Sequence, residues 1–137
     1  LPIFRLQMMQ AAALLYQITK QKSYLEDAQN IAEACHKHFF TQFTSPDGQT
    51  FQLLKKGNIW FTAVMLRGFI ELYQIDHNKT YLTDFQRSLD YAWHHARDER
   101  GLFQTDWSGT DKNEKKWLLT QAAFIEMYGR LGGIDLQ

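Results

Sequence analysis

Leu15-Tyr16-Gln17-Ile18 recurs 57 positions later as Leu72-Tyr73-Gln74-Ile75. The same offset carries Lys22 to Lys79, Ser23 to Thr80, Tyr24-Leu25 to Tyr81-Leu82, Asp27 to Asp84, Gln29 to Gln86, His38 to His95 and Trp60 to Trp117. A third copy begins where Phe69-Ile70-Glu71-Leu72-Tyr73 returns as Phe124-Ile125-Glu126-Met127-Tyr128. A fixed period means one supersecondary unit used repeatedly, each copy burying its apolar face against its neighbours. The chain is thus expected to hold about two and a half units and to begin and end partway through a repeat.

Each unit reads as two helices. In the first helices, expected at about 4–19, 58–76 and 115–131, apolar residues surround most of the circumference. Ile59, Ala63, Leu66, Ile70 and Tyr73 form one stripe; Phe61, Met65, Phe69 and Leu72 form another. Such helices belong inside. The second helices, expected at about 23–41 and 80–97, carry a single stripe (Tyr24, Ala28, Ile31, Cys35, Phe39; Leu82, Phe85, Leu89, Ala92, Ala96) and belong outside. Ser23 with Glu26 three residues on has the pattern of a capping box that starts an outer helix.

Inner-to-outer turns such as Thr19-Lys20-Gln21-Lys22 and Asp76-His77-Asn78-Lys79 are short, whereas the outer-to-inner connections, about 42–57 and 98–114, are long. All the long connections therefore fall on one face, the usual place for binding chemistry on a rigid scaffold. They hold Pro46-Asp47-Gly48, Lys55-Lys56-Gly57, Arg100-Gly101 and Asp106-Trp107-Ser108-Gly109, turn formers beside aromatics. Buried helices alternating with one-faced helices argue for a closed double ring, an α/α toroid. Closure takes about six hairpins, or on the order of 340 residues at this repeat length.

Composition narrows the partners. Fifteen basic and fifteen acidic residues cancel, so there is no field to attract nucleic acid or an anionic membrane. No stretch has the roughly 18 apolar residues of a membrane span, and the start has no signal-peptide layout. The single Cys35 excludes an internal disulfide. A neutral ligand fits this balance.

The order Trp60-Phe61-Thr62-Ala63-Val64-Met65-Leu66-Arg67-Gly68-Phe69-Ile70-Glu71-Leu72-Tyr73, then Gly101-Leu102-Phe103, Asp106-Trp107-Ser108-Gly109 and Trp117-Leu118-Leu119-Thr120-Gln121-Ala122-Ala123, resembles glycoside hydrolase family 76. The resemblance implies an all-α fold, helical hairpins of an (α/α)6 toroid, with residues 1–137 forming the C-terminal part of a single glycosidase domain. It implies an α-1,6-mannanase acting in a secreted, periplasmic or cell-surface setting on α-mannan or manno-oligosaccharides. It also implies a partner in the N-terminal half of the same domain, and no cofactor. Phe61-Thr62-Ala63 stands where the family usually has Phe-Lys-Gly. The family's catalytic Asp-Asp pair has no counterpart in this sequence. No catalytic residue is therefore assigned, and the chain alone is expected to be silent.

Glycoside hydrolysis needs two carboxyl groups flanking the scissile bond. Glu26-Asp27 and Asp98-Glu99 sit on or at the ends of outer helices and read as surface or cap charges. Glu71 and Glu126 ride inner helices near the short-turn end and read as structural hydrogen-bonding groups. Sugars offer flat C–H faces rimmed by hydroxyls, which aromatic platforms beside polar groups fit. The substrate-binding candidates are accordingly Trp60, Arg67, Asp106, Trp107, Trp117 and Gln121. Each has a competing reading: Trp60 and Trp117 as plugs at helix starts, Arg67 as half of an ion pair with an acid from another repeat, Asp106 as the group that orders its loop. His36, His38, His94 and His95 lie on outer helices without the spacing of a metal site. A sugar epimerase or lyase on the same toroid, and a non-enzymatic helical-repeat module, are the alternative functions.

Overall fold

The computed structural model describes residues 4–136. The chain runs α1 (Phe4–Thr19), α2 (Lys22–Phe39), β1 (Phe40–Thr44), β2 (Thr50–Leu54), α3 (Ile59–Asp76), α4 (Thr80–His95) and α5 (Leu118–Gly132). Helices α1, α3 and α5 are the inner helices of successive hairpins, with α3 packed between the other two. Helices α2 and α4 lie outside, each showing one apolar stripe. The alternation of two helix types is therefore present, and the fold is a partial α/α toroid with one small sheet.

Close approach of the inner helices is set at one residue. A Cβ built on Gly68 of α3 would sit 2.7 Å from Cε of Met9 on α1, so glycine lets the two backbones come together and Met9 fills the space. Around that contact α3 buries Ile59, Ala63, Met65, Leu66, Phe69 and Leu72. The two flanking inner helices are buried on one side only. Met8, Leu15 and Ile18 of α1 are exposed, as are Leu118 and Ile125 of α5.

Two local expectations do not hold. Ser23 and Glu26 form no capping box: α2 begins at Lys22, with Gln21 at the cap position and no side-chain cap bond, which puts Ser23 inside the first turn where its hydroxyl cannot cap. The 42–57 connection is not a plain loop. Phe40–Thr44 and Thr50–Leu54 form an antiparallel hairpin in which Phe40 pairs with Leu54 and Thr44 with Thr50. β-Branched and aromatic residues flanking Pro46-Asp47-Gly48 favour it, with Gly48 supplying the positive φ of 88° at the turn. The hairpin is fastened to α4: Ser88 Oγ accepts the Leu54 N–H at 3.1 Å, Arg87 lies 4.6 Å from the Phe51 ring centroid, and Phe43, Phe51 and Tyr91 pack edge to face or tilted.

The short turns obey the repeat at the level of backbone angles. Lys20 and His77, which are 57 residues apart, both adopt left-handed φ, 58° and 55°. Each donates its N–H back to a carbonyl four residues earlier, Tyr16 or Tyr73, closing the helix end. A side chain at such a position costs free energy that glycine does not. His77→Gly is accordingly expected to raise stability by about 0.5–1 kcal/mol, read as a higher midpoint in chemical denaturation.

Candidate functional site

The two inner helices α3 and α5 start at the same face, and the long connection from α4 to α5 folds over their N-terminal ends. Asn58 caps α3, its side-chain oxygen accepting the N–H groups of Trp60 at 3.0 Å and Phe61 at 3.4 Å. This cap fixes where Trp60 leaves the helix. Trp117 occupies the cap position of α5 with no side-chain bond of its own and is 68% exposed. Between them lies a cleft of about 390 Å³, with Trp60, Trp117, Leu119 and Phe103 as apolar walls and Thr105, Asn113, Thr120 and Gln121 as polar groups. Glu114 is the carboxylate that lines it.

The cleft's shape depends on a network of amides in the 97–117 connection. Gln121 holds both backbone groups of Phe103, its Oε1 accepting the N–H at 2.8 Å and its Nε2 donating to the carbonyl at 2.9 Å. Asn113 holds Thr105 by one backbone and one side-chain group, accepting its N–H at 2.7 Å and donating to its hydroxyl Oγ1 at 3.1 Å, while its own N–H goes to Oε1 of the buried Gln104. Lys116 donates to the Asn113 carbonyl at 2.5 Å and lies 3.8 Å from Asp98. Phe103, thus pinned, stacks on Phe124 at a centroid distance of 4.1 Å.

Three of the candidates, Trp60, Trp117 and Gln121, meet in this cleft. The Gln121 side chain is committed to the Phe103 backbone, so what it presents to the cleft is a held edge. Arg67 lies behind Trp60, its guanidinium 5.4 Å from the Trp60 ring centroid. It makes a two-pronged ion pair with Glu126 of the next inner helix, Nε to Oε2 at 2.9 Å and Nη2 to Oε1 at 2.5 Å, with Arg130 adding a contact at 3.4 Å. Arg67 therefore acts across the α3–α5 joint and on the Trp60 ring. Glu71 accepts a long 3.5 Å bond from Gln17 of α1.

Asp106 and Trp107 do not line the cleft. Asp106 orders its own turn: Oδ1 accepts the N–H and hydroxyl of Ser108 at 3.0 and 2.8 Å, and Oδ2 accepts the Asp111 N–H at 2.9 Å. Burial pushes its carboxyl pKa up, but these donors outweigh burial and hold it below the usual carboxylate value. Trp107 is wholly buried against Phe85 and Phe124. It has no ring face for a sugar, so the platform expected there is a core residue. Its indole N–H lacks a hydrogen-bond partner.

The outer-helix histidines also fall outside the cleft. His36 Nε2 lies 2.6 Å from Asp84 Oδ2, joining α2 to α4. Among the described residues no group of three or more His, Cys, Asp or Glu is placed to hold a metal ion, and no helix is long and apolar enough to cross a membrane.

No family model and no curated protein sequence matches this chain. Solved structures do. A family 76 glycoside hydrolase from a bovine Bacteroides thetaiotaomicron strain superposes with a TM-score of 0.86 at 44% identity over 90% of this chain. A second, a family 76 mannosidase from Bacteroides thetaiotaomicron, does so with a TM-score of 0.83 at 39% identity, again over 90%. The chain is similar to a segment of family 76 glycoside hydrolases. It spans 27% and 34% of the lengths of those two enzymes. Within the family 76-like fold the long-connection face is thus built at the mouth between α3 and α5, by aromatics and amides.

Two expectations follow from this geometry. A Cβ on Gly109, whose φ is 75°, would lie 1.8 Å from the His95 carbonyl oxygen, so any side chain there must displace the connection from the end of α4. Gly109→Ala is expected to cost about 3 kcal/mol or more, measured by urea denaturation, and to loosen the cleft. The second concerns Glu126. The Arg67 hydrogen bonds hold its pKa below the ordinary 4.5 against the opposing effect of burial. A depressed folded pKa stabilises above the unfolded value and is lost as pH falls through the folded one. Glu126→Gln should therefore destabilise by about 1–2 kcal/mol at neutral pH, and the gap from the unmodified protein should close as denaturation is repeated below pH 4.

Proposed function

We propose that this chain supplies one wall of the substrate cleft of a glycosidase that hydrolyses α-1,6-linked mannan. The observation that carries the reading is the cleft between Trp60 and Trp117, in a segment 44% identical to a family 76 glycoside hydrolase. Aromatic walls of this kind take the C–H faces of a sugar, and the Thr120 hydroxyl in the same lining suits its hydroxyl rim. A sequence with no net charge matches a neutral polysaccharide.

Bond cleavage needs two carboxyl groups on either side of the glycosidic bond, about 5 Å apart for retention and 6.5–9.5 Å for inversion. Glu114 is the cleft's single carboxylate among the described residues. An Asp pair on an inner helix in the N-terminal half of the same domain completes the proposal, residues 1–137 forming the C-terminal part. One carboxyl group would protonate the leaving oxygen and the other would attack the anomeric carbon or activate water, while this chain holds the sugar rings. A polymer of mannose cannot cross a membrane, so the reading places the protein outside the cytoplasm, secreted, periplasmic or on the cell surface.

The test is a pair of assays on the 137-residue chain. α-1,6-Manno-oligosaccharides should bind and remain uncut. Trp117→Ala should weaken binding at least about tenfold in calorimetry, the size expected on losing one stacked platform. Release of reducing ends by the chain would contradict the placement of the acid pair elsewhere, and undiminished binding by the variant would contradict the cleft.

A further inference from the structure

The β1–β2 hairpin breaks the repeat. The equivalent connection after α4 runs into α5 with one isolated bridge, Arg97 to Phe103, in place of paired strands. The hairpin is thus an addition to the unit, and it lays its turn against the last two turns of α4. Between turn and helix lies a cavity of about 350 Å³. Its walls come from residues 45–51 and 87–95, so neither α1 nor α5 borders it. Helix α4 meets α5 through a different stripe, where Trp93 packs on Tyr128.

The walls are set by contacts among themselves. Tyr91 is wedged against Phe43 and Phe51 at centroid distances of 5.3 and 5.4 Å. Arg87 lies over Phe51 and donates to the side-chain oxygen of Gln49, while Asp47 accepts from the Ser45 hydroxyl and from Gln49 Nε2 at 3.2 Å. Other groups are left over. The exposed His95 ring lies on that of Tyr91, with centroids 4.2 Å apart and planes 24° from parallel, a flat two-ring surface. His94 commits Nδ1 to the Asp90 carbonyl at 2.9 Å and keeps Nε2. The Asp90 carboxylate and the His95 nitrogens make no hydrogen bond among the described residues.

This mixture selects a class of ligand. Asp47 and Asp90 oppose an anion, and the Arg87 guanidinium opposes a cation. No three of the described His, Cys, Asp or Glu side chains are placed to hold a metal. An apolar ligand would cover Asp90 and the imidazole nitrogens without giving them partners. A neutral polyhydroxyl ring answers both needs, its C–H face on the aromatic surface and its hydroxyls on the carboxylate and the imidazoles.

We infer that this cavity is a second sugar site, taking one mannose unit of the polymer outside the cleft between α3 and α5. The identity of the sugar rests on the mannan reading above. Hairpin and cleft belong to the same long-connection face, and the end of α4 that carries His95 abuts the connection that shapes the cleft, at Gly109. A polymer held at both points is released only when both let go.

One titration separates this site from the cleft. α-1,6-Linked mannotriose is added to the isotope-labelled 137-residue chain at fixed pH, and the imidazole resonances of His94 and His95 are followed beside the indole N–H resonances of Trp60 and Trp117. Both sets should shift. Asp90→Ala should weaken the histidine response at least about tenfold and leave the indole response and the helical circular dichroism unchanged. Trp117→Ala should do the reverse. His95→Ala, a second exposed position, should weaken the response of His94 in the same way. Indole shifts without histidine shifts overturn the second site and leave the cleft reading standing. Histidine shifts without indole shifts support the second site and sink the cleft reading, and no shift in either set overturns both. A histidine response of full affinity in Asp90→Ala also overturns the inference.

Discussion

The contact on which this structure depends is the approach of one inner helix to the next, made at Gly68 with Met9 and repeated between α3 and α5. A glycine in mid-helix is intrinsically unfavourable by up to about 1 kcal/mol. Here it is offset by the burial of Met9, Leu66, Phe69 and Leu72, which the close spacing permits. Everything else hangs from this stack of parallel inner helices. Outer helices α2 and α4 cover it, and the connections that return from outer to inner helices must all emerge at the inner helices' N-terminal ends.

That constraint builds the cleft. Trp60 lies in the first turn of α3 and Trp117 at the cap of α5, so the stacking of successive inner helices also sets two indoles on opposite sides of one gap. The Arg67–Glu126 pair then links the two helices behind Trp60. Half-buried and two-pronged, it contributes direction as well as attraction, since a guanidinium fork meets a carboxylate in few orientations. Between the helices the connection would have many conformations. Gln121 and Asn113 restrict it by satisfying the backbone at Phe103 and Thr105, where no regular partner strand exists.

Much of the scaffold was legible in the sequence because period and amphipathicity are local signals. The helix spans from 4 to 132, the inner and outer roles and the single long-connection face all follow from spacing. The hairpin at 40–54 is absent from that reading: an outer helix expected to reach 41 takes in Phe40 and Thr41, Pro46-Asp47-Gly48 marks the rest as a connection, and the strands are fixed by packing on α4 that spacing does not show. Trp107 shows the limit of reading chemistry from a motif. Asp106-Trp107-Ser108-Gly109 has the composition of a binding loop, yet Asp106 spends its oxygens on the turn and the turn drives Trp107 into the core beside Phe124. Asn113 and Gln104 carried no signal, because their partners are chosen only once the connection is folded over α5. For Arg67, the reading that it pairs with an acid from another repeat is the one the structure bears out, and only the fold identifies the acid as Glu126.

The central claim is that the cleft between the starts of α3 and α5 receives mannose rings on its tryptophans. The four indoles of this chain, Trp60, Trp93, Trp107 and Trp117, give four separate reporters. A titration of the nitrogen-labelled protein with an α-1,6-linked mannotriose, followed through the indole N–H resonances, reads them at once. The account predicts that Trp117 and Trp60 shift together with one affinity while Trp93, on the outer helix α4, and the buried Trp107 stay in place. Movement of Trp93 alone, or four unmoved resonances at saturating sugar, would contradict it.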